Sequence, residues 1–290
     1  MKSEPTIKLI EGDTIPEVWM KAVRFLSDRR GREFFDLILH IKKPTVVNKA
    51  DVETIKNVEK FLKKHDGMPV ATVAETIFPM SYYKRGGRTA VFEDYVRDIQ
   101  KIREERPDES NGWGLYALRM LHYIKPNGES FNQLEKVIEK IGAKAKYQNC
   151  FEVSSSEELR TNYFEEETGA ADLSIFEPSS DSGRYYGGPC LSHVSFKRDK
   201  RLDQMRLNAT YRSHFYIQRA LGNLIGLSNL LLFVAKETQQ GIGALTINAT
   251  YAKLDTGADN KGTWTHKNVI ALLDECENLY DTVDKRITDS

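Results

Sequence analysis

Residues 187–251, GGPCLSHVSFKRDKRLDQMRLNATYRSHFYIQRALGNLIGLSNLLLFVAKETQQGIGALTINATY, contain elements of different hydrophobic periodicity. Apolar residues alternate along 190–196 and again along 205–213, and KRDKR joins the two runs, which predicts a β-hairpin. From about Ile217 to Glu237 the apolar residues nearly encircle the chain, as in a helix buried within a core. A further strand is predicted by the alternation of Leu245, Ile247, Ala249 and Tyr251.

The rest of the chain adds helices and one more strand. A helical pattern over 15–30 precedes FFDLILHI, which has the composition of a strand. Asp51 is the expected N-cap of a helix whose apolar face carries Val52, Ile55, Val58 and Leu62. We expect a helix over Val91–Arg103 with loops on either side, and a last helix carrying Val269, Leu272, Leu273, Cys276 and Leu279. The chain is therefore predicted to be one α+β domain over residues 1–290, a mixed sheet with flanking helices and a long buried central helix.

Composition limits the classes of partner. The chain has 42 basic and 42 acidic residues, so no net positive field favours nucleic acid or an anionic membrane. Its three cysteines are too scattered for a disulfide framework or a zinc site, and no metal site is predicted. No signal-peptide pattern begins the sequence, and the longest apolar run, Leu230–Ala235, is far shorter than the roughly 20 residues that span a bilayer. We expect a cytoplasmic protein.

Cys190 follows Gly-Gly-Pro and precedes the first strand of the hairpin. It can be read as a small buried residue, which is the common state of a cysteine. It can also be read as a nucleophile, because Arg212, at the end of the paired strand, could stabilise a thiolate. Arg212 also offers a planar fork suited to phosphate, to which Ser213 would add a hydroxyl.

An ordered set of residues over 187–251 resembles the core of thymidylate synthase and the related pyrimidine nucleotide hydroxymethylases. The resemblance rests on the Pro-Cys pair, the Arg-Ser pair, Asn223, the AKET helix end and Tyr251. Upstream, DRRGREFFDLILHIKKP is similar to the family's arginine-bearing loop and first strand, while WGLYALR and FNQLEKVIEKI are similar to its central segments. The resemblance therefore covers most of the chain and implies a thymidylate synthase-like fold.

The family's chemistry implies roles for individual residues. Cys190 would add to C6 of a pyrimidine, and C5 would then attack a one-carbon unit carried by a reduced folate. Arg212 and Ser213 would bind the nucleotide phosphate together with Arg32, which matches the arginine of the loop before the first strand. Asn223 would read the N3 and O4 edge of a uracil-type base, because family members acting on cytosine tend to carry an acid there.

Three further assignments follow from the resemblance. Tyr251 would contact the sugar, and Tyr116 would line the pocket of the cysteine. Glu59 would be the family's essential glutamate, with Glu75 as the rival position. Partners implied by the family are a pyrimidine mononucleotide and a second copy of the chain in a homodimer.

The sequence departs from the family pattern at several positions. Phe215 replaces an acid near the folate and ring site, and Ala249 replaces a histidine that contacts the sugar. No arginine stands near Gly169, where a partner subunit's phosphate-binding arginines are expected. The chain also ends in the polar LYDTVDKRITDS, where the synthases have an apolar segment that closes over the folate. Methylenetetrahydrofolate is the implied cofactor, although Phe215 and this C-terminus differ from the residues that would hold it.

These departures leave a second hypothesis from a different class of protein. A non-catalytic descendant could keep the fold and a nucleotide pocket, and serve as a binding or interaction module. The retained cysteine, Arg-Ser pair and asparagine favour the enzyme, a C5 methyltransferase or hydroxymethyltransferase. Phe215, Ala249 and the missing arginines favour the binding protein.

Overall fold

The described part of the chain combines helices with a mixed sheet, so the predicted α+β class is confirmed. The computed structural model describes residues 6–105, 116–125, 127–142, 170–175 and 189–288. The chain divides into two compact units. The first comprises Met1–Ala74, Tyr211–Ser228 and Ala244–Ser290, and the second comprises Glu75–Thr210 and Asn229–Gly243. One domain over 1–290 stays a prediction.

The elements are numbered here along the chain within the described ranges. The strands are β1 (Lys8–Gly12), β2 (Glu33–Ile41), β3 (Tyr123–Ile124), β4 (Ser130–Phe131), β5 (Ala170–Ser174), β6 (Leu191–Asp199), β7 (Gln204–Tyr211), β8 (His214–Phe215) and β9 (Gly241–Lys253). The helices are α1 (Ile15–Ser27), α2 (Lys49–Lys64), α3 (Val70–Ile77), α4 (Met80–Thr89), α5 (Tyr95–Glu105), α6 (Tyr116–Leu121), α7 (Gln133–Gly142), α8 (Leu221–Glu237), α9 (Gly257–Asn260) and α10 (His266–Thr288). Two π-helical turns, Ala90–Asp94 and Tyr216–Ala220, lead into α5 and α8.

The first unit is built on β1, β2 and β9. Strand β1 runs parallel to β2, β2 runs antiparallel to β9, and the short β8 runs parallel to the end of β9. Helix α1 packs on β1 and β2, and it also contacts α2 and α10. Its buried stripe, which includes Val18, Trp19, Ala22 and Val23, recurs at the three- and four-residue spacing of an amphipathic helix.

The alternation of buried and exposed side chains shifts at the same place on the paired strands β2 and β9. Leu37 pairs with Ala249 and Phe34 pairs with Ala252, and all four side chains are buried although two residues separate the pairs on each strand. Asp36 has a φ of 54° at this point, a left-handed conformation that breaks the alternation of β2. Tyr251 therefore leaves the buried face of β9 and is half-buried, which corrects the prediction that it shares a face with Ala249.

The second unit contains the predicted hairpin. Strands β6 and β7 are neighbours joined by residues 200–203, and β5 pairs antiparallel with β6 on the other side. The apolar face of β7 is buried as predicted, with Met205, Leu207 and Ala209 at most 3% exposed. An aromatic cluster forms part of this unit's core, because the rings of Phe78, Tyr83 and Phe92 all meet Phe233 of α8.

Two local predictions are wrong in detail. Helix α2 begins after Asn48, whose side chain accepts the Asp51 backbone N–H at 2.8 Å, so Asp51 lies inside the first turn. Asp51 is fully buried while Val52 is exposed, because Thr14 and Tyr280 donate hydrogen bonds to the Asp51 carboxylate. Residues 80–89, expected as a loop, form α4 instead, although Gly86 and Gly87 have non-helical backbone angles inside it.

The predicted long central helix is confirmed as a buried element. Together with its π-helical first turn it spans Tyr216–Glu237, and 78% of its most apolar 18-residue window is buried. Among the described residues, this helix alone is long and apolar enough to cross a membrane by length and composition. Its burial within the protein is that of a core helix.

Candidate functional site

The structure places Cys190 and Tyr116 together in the second unit. Cys190 lies immediately before β6, is half-buried, and donates its backbone N–H to the Tyr116 hydroxyl at 3.2 Å. Pro189 before it is buried, whereas Gly187 and Gly188 lie outside the described residues. Tyr116 begins α6 and is 9% exposed. The predicted neighbours are therefore in contact, and their chemical roles remain predictions.

The second described cysteine has a different environment. Cys276 of α10 is completely buried, and burial raises the pKa of its thiol to about 12. A thiol with this pKa is protonated at neutral pH and is a poor nucleophile. Of the two described cysteines, only Cys190 therefore has the accessibility that covalent chemistry requires.

Arg212 and Ser213 lie between β7 and β8 in the first unit. Their backbone is held by Thr250 of β9, whose hydroxyl lies 3.3 Å from the carbonyl oxygen of Tyr211 and 3.1 Å from that of Arg212. Arg212 is exposed and Ser213 is half-buried. Because Arg212 is exposed and its backbone is anchored, its guanidinium can bind a phosphate without rearrangement of buried side chains.

Asn223 of α8 is held by a residue that the sequence analysis did not select. Its side-chain nitrogen Nδ2 lies 3.1 Å from Nε2 of His214, and Asn223 and His214 are 5% and 1% exposed. The His214 ring stacks on Tyr211, with centroids 4.2 Å apart and an interplanar angle of 10°. Burial lowers the pKa of His214 to about 3, so the imidazole is neutral at physiological pH.

Asp255 is a second residue that the sequence analysis missed. Its carboxylate accepts the backbone N–H of Ile217 at 2.8 Å and of Gln218 at 3.1 Å, at the start of the long helix. Asn260 donates to the same carboxylate at 2.6 Å. These bonds satisfy orphan donors of the helix N-terminus and thereby fix the segment that carries His214 and Asn223. A lone aspartate in a loop, 38 residues from Ile217, has no sequence signal for this role.

Asp255 should make stability depend on pH. It is fully buried, and burial raises its pKa to about 6 from an ordinary 3.8. The folded protein therefore keeps a proton that the unfolded chain releases, and this stabilisation is lost as pH rises from about 4 to about 6. Asp255→Asn removes this titration. In urea unfolding, the free energy of unfolding of the variant should therefore rise by about 3 kcal/mol relative to that of the parent protein between about pH 4 and about pH 6.

Asp259 supplies the matched control for this prediction. Asp259 lies in α9, four residues further along the chain. Burial acts to raise the pKa of its carboxyl group, but the hydrogen bond from Lys253 acts the other way, and the pKa is lowered overall. The free energy of unfolding of Asp259→Asn should therefore fall relative to that of the parent protein as pH rises, the reverse of the change expected for Asp255→Asn. A pH-independent difference for Asp255→Asn would contradict the proposed protonation of Asp255.

Tyr251 and Arg32 lie at one end of the pair formed by β2 and β9. The Tyr251 hydroxyl donates to the Glu33 carboxylate at 2.6 Å, and its ring is tilted against Phe35 at 5.5 Å. Burial and this carboxylate together raise the pKa of Tyr251 to about 12. Arg32 precedes Glu33 with a φ of 57°, and its carbonyl oxygen accepts the N–H of Leu254. Glu33 was not predicted as a site residue.

The two candidate glutamates both have local structural partners. Glu59 of α2 is half-buried and accepts the N–H of Ala71 in the first turn of α3. Glu75 accepts the N–H and the hydroxyl of Ser81, at the start of α4, at 3.0 and 2.7 Å. Each carboxylate thus binds donors of a helix N-terminus, and the catalytic role of Glu59 stays a prediction.

Several of the residues that depart from the family pattern lie within the described part of the fold. Phe215 is half-buried, with Nζ of Lys253 6.0 Å from its ring centroid, and Ala249 is buried opposite Leu37. Helix α10 continues to Thr288 and is anchored by Tyr280 on Asp51 and by Arg24 on Glu277. Phe215 and this helix differ in sequence from the residues to which the resemblance assigns folate contacts, and the folate stays a prediction.

Two other features do not add to the candidate site. A groove of about 430 Å³ beside β1 and α1 is lined by residues such as Lys8, Phe25 and Glu277, and it includes none of the predicted site residues. Among the described residues, no group of three or more His, Cys, Asp or Glu side chains could hold a metal ion. In comparison with known proteins, the chain matches no family model and no curated protein sequence.

Proposed function

We propose that the protein transfers a one-carbon unit to C5 of a uridylate-type nucleotide. The observation that carries the proposal is the buried amide of Asn223, hydrogen-bonded to a neutral histidine at the start of a largely apolar helix. A polar side chain at 5% exposure costs stability unless it has partners, and its ordered position suits recognition of a base edge. Arg212, two residues before His214, supports this assignment as a phosphate ligand on the same stretch of chain.

Cys190 is the proposed nucleophile. Its thiolate would add to C6, and the electron pair of the C5–C6 double bond would pass to C5 and O4. C5 would then bond to a one-carbon electrophile, lose its proton to a base, and expel the thiolate from C6. An N–H of Asn223 directed at O4 would stabilise the negative charge that develops there.

Methylenetetrahydrofolate is the one-carbon donor that the resemblance implies, and Phe215 and the polar C-terminal residues differ from the residues that would hold it. The homodimer that the resemblance implies, and the cytoplasmic location expected from the sequence, are part of the same proposal.

The test measures loss of tritium from C5 of labelled uridine and deoxyuridine monophosphates. After the thiolate adds to C6, C5 can take a proton from solvent, and loss of the triton from C5 with expulsion of the thiolate then releases tritium to water. This exchange needs no one-carbon donor, so the assay does not depend on the folate. We expect release with a uridylate, and less with cytidine monophosphate. Absence of tritium release from all of these nucleotides, with or without methylenetetrahydrofolate, would contradict the proposed enzymatic function.

A nucleotide-binding protein without catalysis is the second candidate, and the structured departures at Phe215, Ala249 and α10 favour it. Binding stabilises the native state by mass action, so this candidate predicts a rise in melting temperature with uridine monophosphate but no release of tritium. Absence of both signals would exclude both candidates.

A further inference from the structure

We propose that His214 is a positioning residue that orients the amide of Asn223 and thereby sets the choice between uracil and cytosine. The inference rests on the proposed function, in which Asn223 reads the base. His214 belongs neither to the predicted site nor to the resemblance, and only its contacts bring it into consideration.

The ring of His214 has a fixed position. It is buried at 1% exposure, stacks on Tyr211 at 4.2 Å, and meets the ring of Tyr216 at 5.2 Å on a tilted plane. Asp255 binds the backbone just beyond it, at Ile217 and Gln218. The nitrogen Nε2 is therefore presented to Asn223 from one direction.

The hydrogen bond between the two residues implies one tautomer. With Nδ2 of Asn223 facing Nε2 at 3.1 Å, the amide donates and the neutral imidazole accepts, so the ring proton lies on Nδ1. Nδ1 has no hydrogen-bond partner among the residues that the structure describes. A buried donor left in this state weakens the fold, so stability alone does not explain a histidine here.

The bond to His214 leaves Asn223 with one N–H and one carbonyl oxygen for a ligand. These two groups match the N3–H and O4 of uracil, which offer one donor and one acceptor in turn. Cytosine presents the reverse order, an acceptor at N3 and a donor at N4, and an amide could match it only by rotating through half a turn. Rotation would direct the Asn223 oxygen at Nε2. A ring that keeps its proton on Nδ1 presents a lone pair there, so the histidine opposes the rotation for as long as that tautomer persists.

The experiment compares dissociation constants of uridine and cytidine monophosphates for the full-length protein and for three variants. His214→Phe keeps an aromatic ring on Tyr211 but removes the acceptor, and it should reduce the preference for uridine about tenfold. His214→Gln restores an acceptor with similar reach and should recover much of the preference. Asn223→Ala should weaken uridine monophosphate and leave cytidine monophosphate little changed, because the amide matches only the uracil edge.

A second measurement is independent of any ligand. Nitrogen-15 spectra of the labelled histidines, assigned with His214→Phe, should show His214 protonated at Nδ1 and unprotonated at Nε2 across neutral pH. A proton on Nε2 would overturn the inference, as would an unchanged uridine preference in His214→Phe. If the parent protein binds neither nucleotide, the proposed function itself fails, which is distinct from binding with an unaltered preference.

Discussion

Replacement of Cys190 by serine is expected to abolish the release of C5 tritium while leaving the fold and nucleotide affinity intact. The thiolate is the attacking species, and a serine hydroxyl ionises too weakly at neutral pH to replace it. We expect a fall in rate of roughly 10³-fold or more. The exchange of sulfur for oxygen is nearly isosteric, and the contact with Tyr116 uses the backbone N–H of Cys190, so it persists in the variant.

Cys276→Ser is the matched control for this experiment. Cys276 is buried with a raised pKa, so the variant should lower the melting temperature but leave the rate per folded molecule unchanged. An intact adduct between uridylate and the parent protein, detected by mass spectrometry after denaturation, should be missing from Cys190→Ser. Release of tritium by Cys190→Ser at the parent rate would remove Cys190 from the mechanism.

Replacement of Arg212 by alanine is expected to weaken uridine monophosphate binding by roughly 10- to 150-fold, which corresponds to one charge-assisted interaction. Uridine, which lacks the phosphate, should bind equally to the variant and the parent protein. Arg212→Lys keeps the charge but loses the planar fork, so its affinity for uridine monophosphate should lie between those of the parent protein and Arg212→Ala. Titration calorimetry with both ligands gives the comparison directly.

Arg201→Ala controls for the loss of a positive charge. The side chain of Arg201 is 92% exposed in the turn between β6 and β7, and its removal should change neither affinity. An equal loss of affinity for uridine and for its monophosphate in Arg212→Ala would contradict a phosphate-binding role. It would indicate instead that Arg212 supports the local fold.

Sequence periodicity predicted the elements whose apolar residues are spaced for a single period. The hairpin of β6 and β7, the buried α8 and the amphipathic α1 and α10 all appear near their predicted bounds. Periodicity failed where other interactions prevail. The glycine pair in α4 suggested a loop, but the surrounding residues still form a helix, and α2 turns Asp51 inwards because buried donors from Thr14 and Tyr280 meet it.

The candidate site divides in the same way. Cys190, Arg212, Ser213, Asn223 and Tyr251 could be selected from the sequence, because together they resemble an ordered set of residues in a known family. His214, Glu33 and Asp255 were not, since each acts through a contact with another residue. A histidine after an Arg-Ser pair or an acid at the start of a strand has no distinctive pattern of its own.

The sequence by itself determined the class of fold, the order of most elements and which residue types are available for chemistry, because hydrophobic period and turn chemistry act over a few neighbouring residues. Only the tertiary structure decided which polar groups meet. Glu33 and Tyr251 are 218 residues apart and Asp255 and Ile217 are 38 apart, and the pairing of strands and the docking of a loop on a helix start bring them together. Burial then changes their chemistry, because removal from water shifts the pKa of His214 and Asp255, and no local pattern encodes that environment.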